Sequence, residues 1–376
     1  MKDHSRNIQQ SMFESKLILP DLTSSGLMRQ NLRKPTVHDH KLYLKNGIVR
    51  LEKIATKNKT DEVNLEMRMS FVDPSSHIKN LAKELISILD LTNKKNKLRI
   101  MGLTFKDKEL VEYLYKICPK FEFEIMVDFG NFKSVPVIAD KIPEILEKYV
   151  NGAIFISARH IFEHVDDPLH IMDILNKHMM IGSFLLIEVP SSFKLYKGSL
   201  FPDFWDEHKS YFDYESINLL FAGKEFEIVY KQEIDTEAET VLIVIVRRVD
   251  TPKEILIKNI QTNVIEKIEF DFHRIRGLMK NLESQSYFIN FIGATHVVVN
   301  FIDLFITNPH KVFIYDNSPS KKNKYVSKYS IQIQGGKQVI NFRKHDLWFS
   351  SISDLRLKLY YRDLISNRII TQIGQL

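Results

Sequence analysis

The sequence predicts an α/β protein built around a Rossmann-like, doubly wound parallel sheet, with a smaller α/β unit after it and a short irregular module before it. Short apolar runs, typical of buried parallel strands, alternate with segments of helical periodicity through the middle of the chain. Such alternation is the pattern of a doubly wound sheet. Two consecutive strands at the end of the pattern indicate a terminal antiparallel pair.

The elements of the central unit follow one another in regular order. Apolar residues recur at helical spacing from Ser75 to Leu91, and Ser75 or Ser76 can cap this helix. The strands predicted after it are LRIMGL, FEFEIMVDF, GAIFISA, SFLLIEVP, EFEIVYKQEI and TVLIVIVRRV. The helices predicted between them are Lys108–Cys118, Ile142–Tyr149, Leu169–His178 and Glu215–Gly223.

The predicted boundaries divide the chain into four parts. Residues 1–75 carry turn signals without a strong period, and residues 76–250 hold the alternating pattern. Residues 251–283 form a connector that is mainly helical from Pro252 to about Leu282. Residues 284–376 form the second α/β unit, which begins with a strand, a turn and a helix in YFINFIGATHVVVNFIDLF, continues with strands in KVFIYDNSP and DLWFSSI, and ends in a helix over Asp354–Leu364.

Composition excludes several classes of protein. No apolar run among the 376 residues reaches the roughly 18–20 residues of a membrane span, and the polar N-terminus predicts a cytoplasmic chain without a secretory signal. A single cysteine, Cys118, excludes an intramolecular disulfide and a cysteine-based zinc site. The net charge of +6 is compatible with a nucleic-acid partner, but the lysines are spread along loop-like segments. We therefore expect surface lysines, no nucleic-acid partner and no membrane, and leave the oligomeric state open.

Two stretches carry the most specific motifs. Residues 156–190 contain ARHIFEHVDDP and GSFLLIEVP, and residues 201–229 contain WDEHKSYF. Together they resemble the sugar C-methyltransferases, which have the class I methyltransferase fold and use S-adenosylmethionine (SAM) to methylate nucleotide-linked deoxysugars. The resemblance implies SAM as the cofactor and a nucleotide sugar as the substrate.

Weaker similarity extends to both ends of the chain. FIGATHVVVNF and YDNSPSKKNKYV resemble the C-terminal α/β unit of that family, and LYLKNGIVRLEKIATKNKTDEV is similar to the end of its N-terminal zinc-binding module. The cysteines of that module are missing around Leu44 and Gly47. His38, Asp39 and His40 are an alternative set of ligands, but a polar loop with chance histidines is the simpler interpretation.

The resemblance assigns catalytic roles to the DEH segment. Methylation of a carbon beside a ketone requires removal of the α-proton by a base whose pKa lies near the working pH, a property of imidazole. His208 would be that base, Glu207 a substrate or catalytic contact, and Tyr211 a further residue of the same loop. Trp205 replaces a tyrosine of the family and would stack on the sugar without donating an acidic hydroxyl. The alternative is an amphipathic loop that only docks onto the sheet.

The expected cofactor site lies at the ends of the first strands. RIMGLTFKDKEL keeps Gly102 but has Phe105 and Lys106 where the family's glycine-rich loop continues, and TEAETVLIVI at 236–245 replaces a later glycine pair. Asp128 would bond the ribose, Asp140 would lie near the adenine, and Arg159 and His160 would lie near the methionine end. His160, Glu163 and His164 also have a spacing that suits a metal, but we expect no metal there.

Two functional hypotheses follow. The first is a SAM-dependent methyltransferase that acts on a nucleotide-linked sugar or related carbohydrate through an enolate generated by His208. The second is a non-catalytic protein of the same fold that binds sugars or serves as a scaffold, because much of the glycine-rich loop is replaced.

Overall fold

A computed structural model of the chain describes residues 16–23, 37–53, 75–89, 98–103, 105–118, 123–125, 135–149, 154–193, 208–236, 240–252, 254–255, 257, 263–285, 288–319, 321–335, 346–350 and 371–373. None of the helices in these ranges is long and apolar enough to cross a membrane.

The N-terminal module is an antiparallel sheet rather than the irregular segment that we predicted. Strands β1 (Lys16–Thr23), β2 (Val37–Lys45) and β3 (Ile48–Lys53) are joined side by side, and the short strand β8 (Ser210–Tyr211) pairs with β3 at the edge. Asn46 and Gly47 link β2 to β3 with φ angles of 52° and 78°, as in a type I′ turn. An Asn-Gly pair between apolar runs is the strongest short-range signal of a hairpin, so this hairpin could have been predicted from the sequence.

The central unit contains the predicted doubly wound sheet. Its helices are α1 (Ser75–Ile88), α2 (Phe105–Ile117), α3 (Val135–Tyr149) and α4 (Pro168–His178). Its strands are β4 (Leu98–Gly102), β5 (Phe123–Ile125), β6 (Phe155–Arg159), β7 (Phe184–Pro190), β9 (Phe226–Asp235) and β10 (Thr240–Arg248). They lie in the order β5-β4-β6-β7-β10-β9, with the first four parallel and β10 antiparallel to both of its neighbours.

Both faces of this sheet are buried, which explains its uninterrupted apolar strands. Along β10, Val241, Ile243 and Ile245 pack with α1 and α2, whereas Leu242, Val244 and Val246 pack with α3 and α4. Successive side chains of a strand point to opposite faces, so a strand covered on both sides is apolar at every position. The predicted Rossmann-like architecture is confirmed by this strand order and by helices on both faces.

Two local predictions differ from the structure, and one lies outside it. The predicted helix Glu215–Gly223 is a short 3₁₀-helix at Ser216–Leu220, which begins where the Asp213 carboxylate accepts the backbone N–H of Ser216 at 2.7 Å. The connector helix α5 begins at Val264 and ends at Gln285, later than its predicted bounds. The predicted helix Asp354–Leu364 lies outside the described residues.

The C-terminal unit is a second α/β fold with its own parallel sheet. After β11 (Ile289–Ile292) and α6 (His296–Phe305) come β12 (Val312–Tyr315), β13 (Tyr325–Val326), β14 (Ile331–Gln334), β15 (Leu347–Ser350) and β16 (Thr371–Gln372). The sheet order is β13-β14-β12-β11-β15-β16, in which only β13 is antiparallel. Counted without β13, the strands therefore stand in the order third, second, first, fourth, fifth, as in half-Rossmann sheets.

The N-terminal sheet shares its core with the C-terminal unit. Leu42 and Val49 of this sheet belong to the same buried apolar cluster as Ile268 of α5 and Val298 of α6. Tyr211 of β8 lies in that cluster too. Strand β8 therefore belongs to the core that the N-terminal sheet shares with the C-terminal unit.

Candidate active site

Backbone hydrogen bonds join two loops beyond the carboxyl ends of the central strands. The Glu163 carbonyl, in the turn after β6, accepts the N–H groups of Lys209 at 2.7 Å and Ser210 at 3.0 Å. Strand β8 is fixed in turn to the N-terminal sheet, where the Val49 position pairs with Tyr211. This arrangement fixes His208, which precedes β8, beside the turn that carries Glu163.

The Arg50 guanidinium ties the N-terminal sheet to the same turn. Its NH2 group donates to the Val165 carbonyl at 3.4 Å and also to the Asp166 carbonyl. Arg50 is buried. The turn after β6 is therefore held by the N-terminal sheet as well as by the central one.

Glu188, near the end of β7, is the centre of a buried charge cluster. Arg159 binds it through two hydrogen bonds, Nε to Oε2 at 3.1 Å and NH2 to Oε1 at 3.0 Å. His160 Nε2 lies 3.0 Å from Oε1, and His77 Nε2 from α1 lies 3.1 Å from Oε2. Burial raises the pKa of Glu188, but Arg159, His160 and His77 outweigh burial and hold this pKa well below its ordinary value. Glu188 is thus a carboxylate at neutral pH.

His160 adopts a backbone conformation that favours glycine. Its φ is 52°, and its N–H donates to the Glu188 carbonyl at 2.7 Å. Histidine is among the few residues enriched in this left-handed region, and such conformations cluster at functional sites. The chain therefore turns sharply at the carboxyl end of β6, which brings Glu163 and His164 over the edge of the sheet.

Glu163, His164 and His208 form a second buried cluster. Each offers a nitrogen or carboxylate oxygen, and these atoms all lie within 4.8 Å of one another. The His164 and His208 rings meet edge to face, with centroids 4.8 Å apart. His160 Nδ1 lies 3.5 Å and His164 Nε2 3.7 Å from Glu163 Oε1, which are ion-pair rather than hydrogen-bond distances. His160 thus stands between the two carboxylates.

The protonation states in this cluster follow from its burial. Burial, with the charges of His164, His296 and His160, holds the pKa of His208 well below its ordinary value, so its imidazole is neutral at pH 7. Burial raises the pKa of Glu163, but His160 and His164 outweigh burial, and this pKa lies below its ordinary value. The cluster therefore presents a carboxylate beside a neutral imidazole.

The loop after β4 is closed by Asp107 instead of by glycines. The Asp107 carboxylate is fully buried and accepts the Leu103 N–H at 2.9 Å and the Ser157 hydroxyl at 2.6 Å. The Arg159 NH1 group donates to the Lys106 carbonyl at 2.9 Å. Groups that border the switch point of the sheet, between β4 and β6, are thus engaged with other protein groups.

The structure places part of the predicted site together. Of the residues assigned to catalysis, His208 and Tyr211 are buried with ring centroids 6.2 Å apart. Of those assigned to the cofactor, Gly102 ends β4 and Arg159 ends β6, on adjacent parallel strands, with His160 directly after β6. Asp140 is exposed within α3. The predicted roles of all these residues stay predictions.

Other predicted site residues lie outside the described residues, or lie in a strand whose side chains are not described. Glu207, Trp205 and Asp128 lie outside the described residues, as does the Phe105 side chain. His38, Asp39 and His40 lie in β2, where their side chains are not described.

Several site residues carried little signal in the sequence. Glu188 and Asp107 looked like ordinary polar positions, because neither belongs to a spaced set of chemical groups. The spacing in the sequence groups His164 with His160 and Glu163, whereas the structure also brings His208 close to Glu163 and His164. The apolar strand FLLIEVP could have indicated a role for Glu188, because an acid inside an apolar strand is costly to bury without a partner.

Solved structures of methyltransferases are similar to about half of the chain. No protein-family model matches the sequence, and no curated protein does. A SAM-dependent methyltransferase from Archaeoglobus fulgidus has 14% identity over 45% of this chain and 94% of its own, with a TM-score of 0.29. The 1,6-didemethyltoxoflavin-N1-methyltransferase of Burkholderia thailandensis has 11% identity over 56% of this chain and 96% of its own, with a TM-score of 0.34. The N-methyltransferase NodS of Bradyrhizobium japonicum WM9 has 11% identity over 48% and 100%, with a TM-score of 0.28.

These scores are too low to assign a function. The class of fold follows from the strand order instead: four parallel strands are followed by a β10 that runs antiparallel between β7 and β9. A Rossmann-like sheet with this terminal antiparallel pair is the arrangement of class I methyltransferases.

Proposed function

We propose that the protein is a SAM-dependent methyltransferase whose substrate is a nucleotide-linked sugar or related carbohydrate. The strand order β5-β4-β6-β7-β10-β9 supports the methyltransferase, and the resemblance of ARHIFEHVDDP, GSFLLIEVP and WDEHKSYF supports the sugar substrate. In open α/β sheets, ligands bind outside the carboxyl ends of the strands, where the strand order reverses. That point lies here between Gly102, at the end of β4, and Arg159, at the end of β6.

The residues at this point fit SAM in part. Arg159, His160 and His77 are engaged by Glu188, and of their nitrogens His77 Nδ1 is buried without a hydrogen-bond partner among the described residues, so it could bond a ligand. Asp107, however, holds the Leu103 N–H that a ligand would otherwise use. Binding of SAM would therefore require the loop 103–107 to move away from Ser157.

His208 is the proposed acceptor of the substrate proton. Its neutral imidazole can accept a proton, but a pKa held well below its ordinary value makes it a weak base, so the Glu163 carboxylate beside it would have to stabilise the imidazolium that forms. SAM would supply an electrophilic methyl group, which the deprotonated substrate carbon would attack. Glu207 and Trp205 are the proposed contacts to the sugar, and Tyr211 is the proposed residue that supports His208 from strand β8.

Calorimetric titration with SAM tests the proposal. We expect saturable binding at micromolar concentrations, and a His208→Ala variant that binds SAM as the wild type does but has lost turnover on nucleotide sugars. No heat of binding at high micromolar SAM would exclude the methyltransferase. Full turnover by the variant would exclude His208 as the base.

A second candidate function is a non-catalytic sugar-binding or scaffolding protein with the same fold. The hydrogen bonds of Asp107 to Leu103 and Ser157 favour it, because they close the loop on which SAM binding depends. In calorimetric titrations, a sugar-binding protein of this kind would bind a nucleotide sugar and would give no heat of binding with SAM.

A further inference from the structure

Glu163 is the least satisfied polar side chain of the site. Its side chain is 3% exposed, and neither carboxylate oxygen has a hydrogen-bond partner among the described residues. The nearest histidine nitrogens lie 3.5 Å and 3.7 Å from Oε1. Buried polar side chains are normally hydrogen-bonded, so these two oxygens leave lone pairs with which Glu163 can bind a cation.

Two histidines are the neighbours that a metal ion would need. The nitrogens of His164 and His208 and an oxygen of Glu163 lie within 4.8 Å of one another, and all three residues are buried. They come from two segments that backbone hydrogen bonds hold together, from the N–H groups of Lys209 and Ser210 to the Glu163 carbonyl. The site is therefore built by the fold and does not depend on exposed, mobile side chains.

We propose that Glu163, His164 and His208 bind a first-row divalent metal ion, and that Zn²⁺ suits the site best. Two histidines and one carboxylate form the protein ligands of catalytic zinc sites, which leave a further position open for water or substrate. At a metal–ligand distance of about 2.1 Å, tetrahedral ligands stand about 3.4 Å apart. The cluster would therefore contract when the metal binds.

The surroundings provide the partners that metal ligands usually have. His160 Nδ1 lies 3.5 Å from Glu163 Oε1, while its Nε2 faces Glu188 at 3.0 Å. His160 would thus orient the ligating carboxylate from the outer shell, a role that is often worth 10- to 100-fold in metal affinity. Glu188 is balanced by Arg159, so Glu163 remains the negative charge that the metal would neutralise.

A bound metal would change the role of His208. A nitrogen that ligates the metal cannot accept the substrate proton, so with the metal bound His208 would be a ligand and not the base. The proton would instead pass to hydroxide at the open position, which a metal ion forms from water at neutral pH. This consequence rests on the proposed methyltransferase function. The proposed metal binding does not rest on that function, so a chain that bound Zn²⁺ but not SAM would still support the metal site.

Titration of the tag-free, metal-depleted full chain with Co²⁺, followed by competition with Zn²⁺, tests the site. We expect one Co²⁺ per chain, with the visible absorption of a low-coordinate ion, and displacement by Zn²⁺. Glu163→Gln, His164→Asn and His208→Asn should each weaken binding by about 100-fold or more. His170→Asn, an exposed histidine of α4, is the matched control and should bind as the wild type does.

The unfolding temperature of Glu163→Gln separates lost ligation from misfolding. Without metal, this variant should fold but be somewhat less stable than the wild type, because His160 and His164 stabilise the Glu163 carboxylate more than burial disfavours it. With Zn²⁺, only the wild type should gain stability. The proposal is overturned if the wild type binds no Co²⁺ or if Glu163→Gln binds it with unchanged affinity. A SAM titration of the same samples reports separately on the proposed function.

Discussion

At the scale of single residues, buried charges decide what the site can do. Asp107 replaces a glycine-rich loop by binding Leu103 and Ser157 directly, and Glu188 engages Arg159 and His160. Glu163 alone of these carboxylates has no hydrogen-bond partner among the described residues. At this edge of the sheet, Asp107 and Glu188 are hydrogen-bonded within the protein and support its structure, whereas the oxygens of Glu163 can bind a ligand.

Replacing Asp107 tests the closed loop. Asp107→Ala should lower the free energy of unfolding by about 2–3 kcal/mol, because it leaves the buried Ser157 hydroxyl without its acceptor and opens a cavity. Asp107→Asn keeps an acceptor and should cost about 1 kcal/mol. Urea denaturation monitored by circular dichroism measures both. Equal stability of Asp107→Ala and the wild type would show that the loop does not depend on this carboxylate.

His296, at the start of α6, should make stability depend on pH. Burial lowers its pKa to about 4, with a further contribution from the Lys321 charge, whereas an unfolded chain restores the ordinary 6.5. Between these values only the unfolded state takes up the proton, so stability is complete above pH 6.5 and is lost as the pH falls toward 4. The difference corresponds to about 3 kcal/mol.

A His296→Gln variant separates this contribution from that of His208, whose pKa is also lowered and which interacts with His296. Unfolding temperatures should fall less steeply between pH 6.5 and 4 in the variant than in the wild type. Parallel curves for the two proteins would contradict the assignment.

At the scale of elements, the hairpin between β2 and β3 depends on its turn. Gly47 has a φ of 78°, where a Cβ atom costs about 1–2 kcal/mol. Gly47→Ala should therefore lower the free energy of unfolding by that amount. Gly277→Ala is the control and lies in the exposed interior of α5. An added Cβ there would meet nothing within 4 Å beyond the backbone of its own helix. This substitution should instead raise the free energy of unfolding by up to about 1 kcal/mol. Chemical denaturation of both variants makes the comparison, and a neutral Gly47→Ala would argue against this turn.

The regular elements could be predicted from sequence, whereas their pairing partners could not. Apolar runs such as that of β10 identify a strand buried on both faces, and the position of β10 after β9 indicated the antiparallel pair. Ser210 and Tyr211 gave no strand signal, because two residues have no period and their partner β3 lies far away in the chain. The segment 160–164 is predicted as a loop beside the cofactor, but the sharp turn that His160 makes in the left-handed region could not be predicted.

The candidate site was therefore predictable by residue type but not by grouping. His208 stood out through its motif, and His164 and Glu163 through their spacing. Their meeting depends on hydrogen bonds from Lys209 and Ser210, which connect distant segments and leave no trace in a single sequence.

At the scale of the whole molecule, the site is assembled where the three units meet. The turn after β6 belongs to the central unit, β8 completes the N-terminal sheet, and that sheet packs against α5 and α6 of the C-terminal unit. Arg50 of β3 spans two of these units by binding the carbonyls of Val165 and Asp166. We infer that the N-terminal sheet positions His208.

Arg50→Ala tests this connection. Loss of its hydrogen bonds should loosen the turn and weaken Co²⁺ binding by about 10-fold, as removal of an outer-shell partner does. Glu52→Ala, at an exposed position of the same strand, is the control and should leave binding unchanged. If both variants bind Co²⁺ as tightly as the wild type, the N-terminal sheet has no part in the geometry of the site.

A crystal structure with S-adenosylhomocysteine tests most directly whether this sheet serves a methyltransferase. The account predicts ligand density between Gly102 and Arg159, at the ends of β4 and β6, with the loop 103–107 moved so that Asp107 no longer accepts the Leu103 N–H. An unchanged loop, with Asp107 still bound to Leu103 and Ser157 and no ligand beside it at saturating concentration, would contradict it.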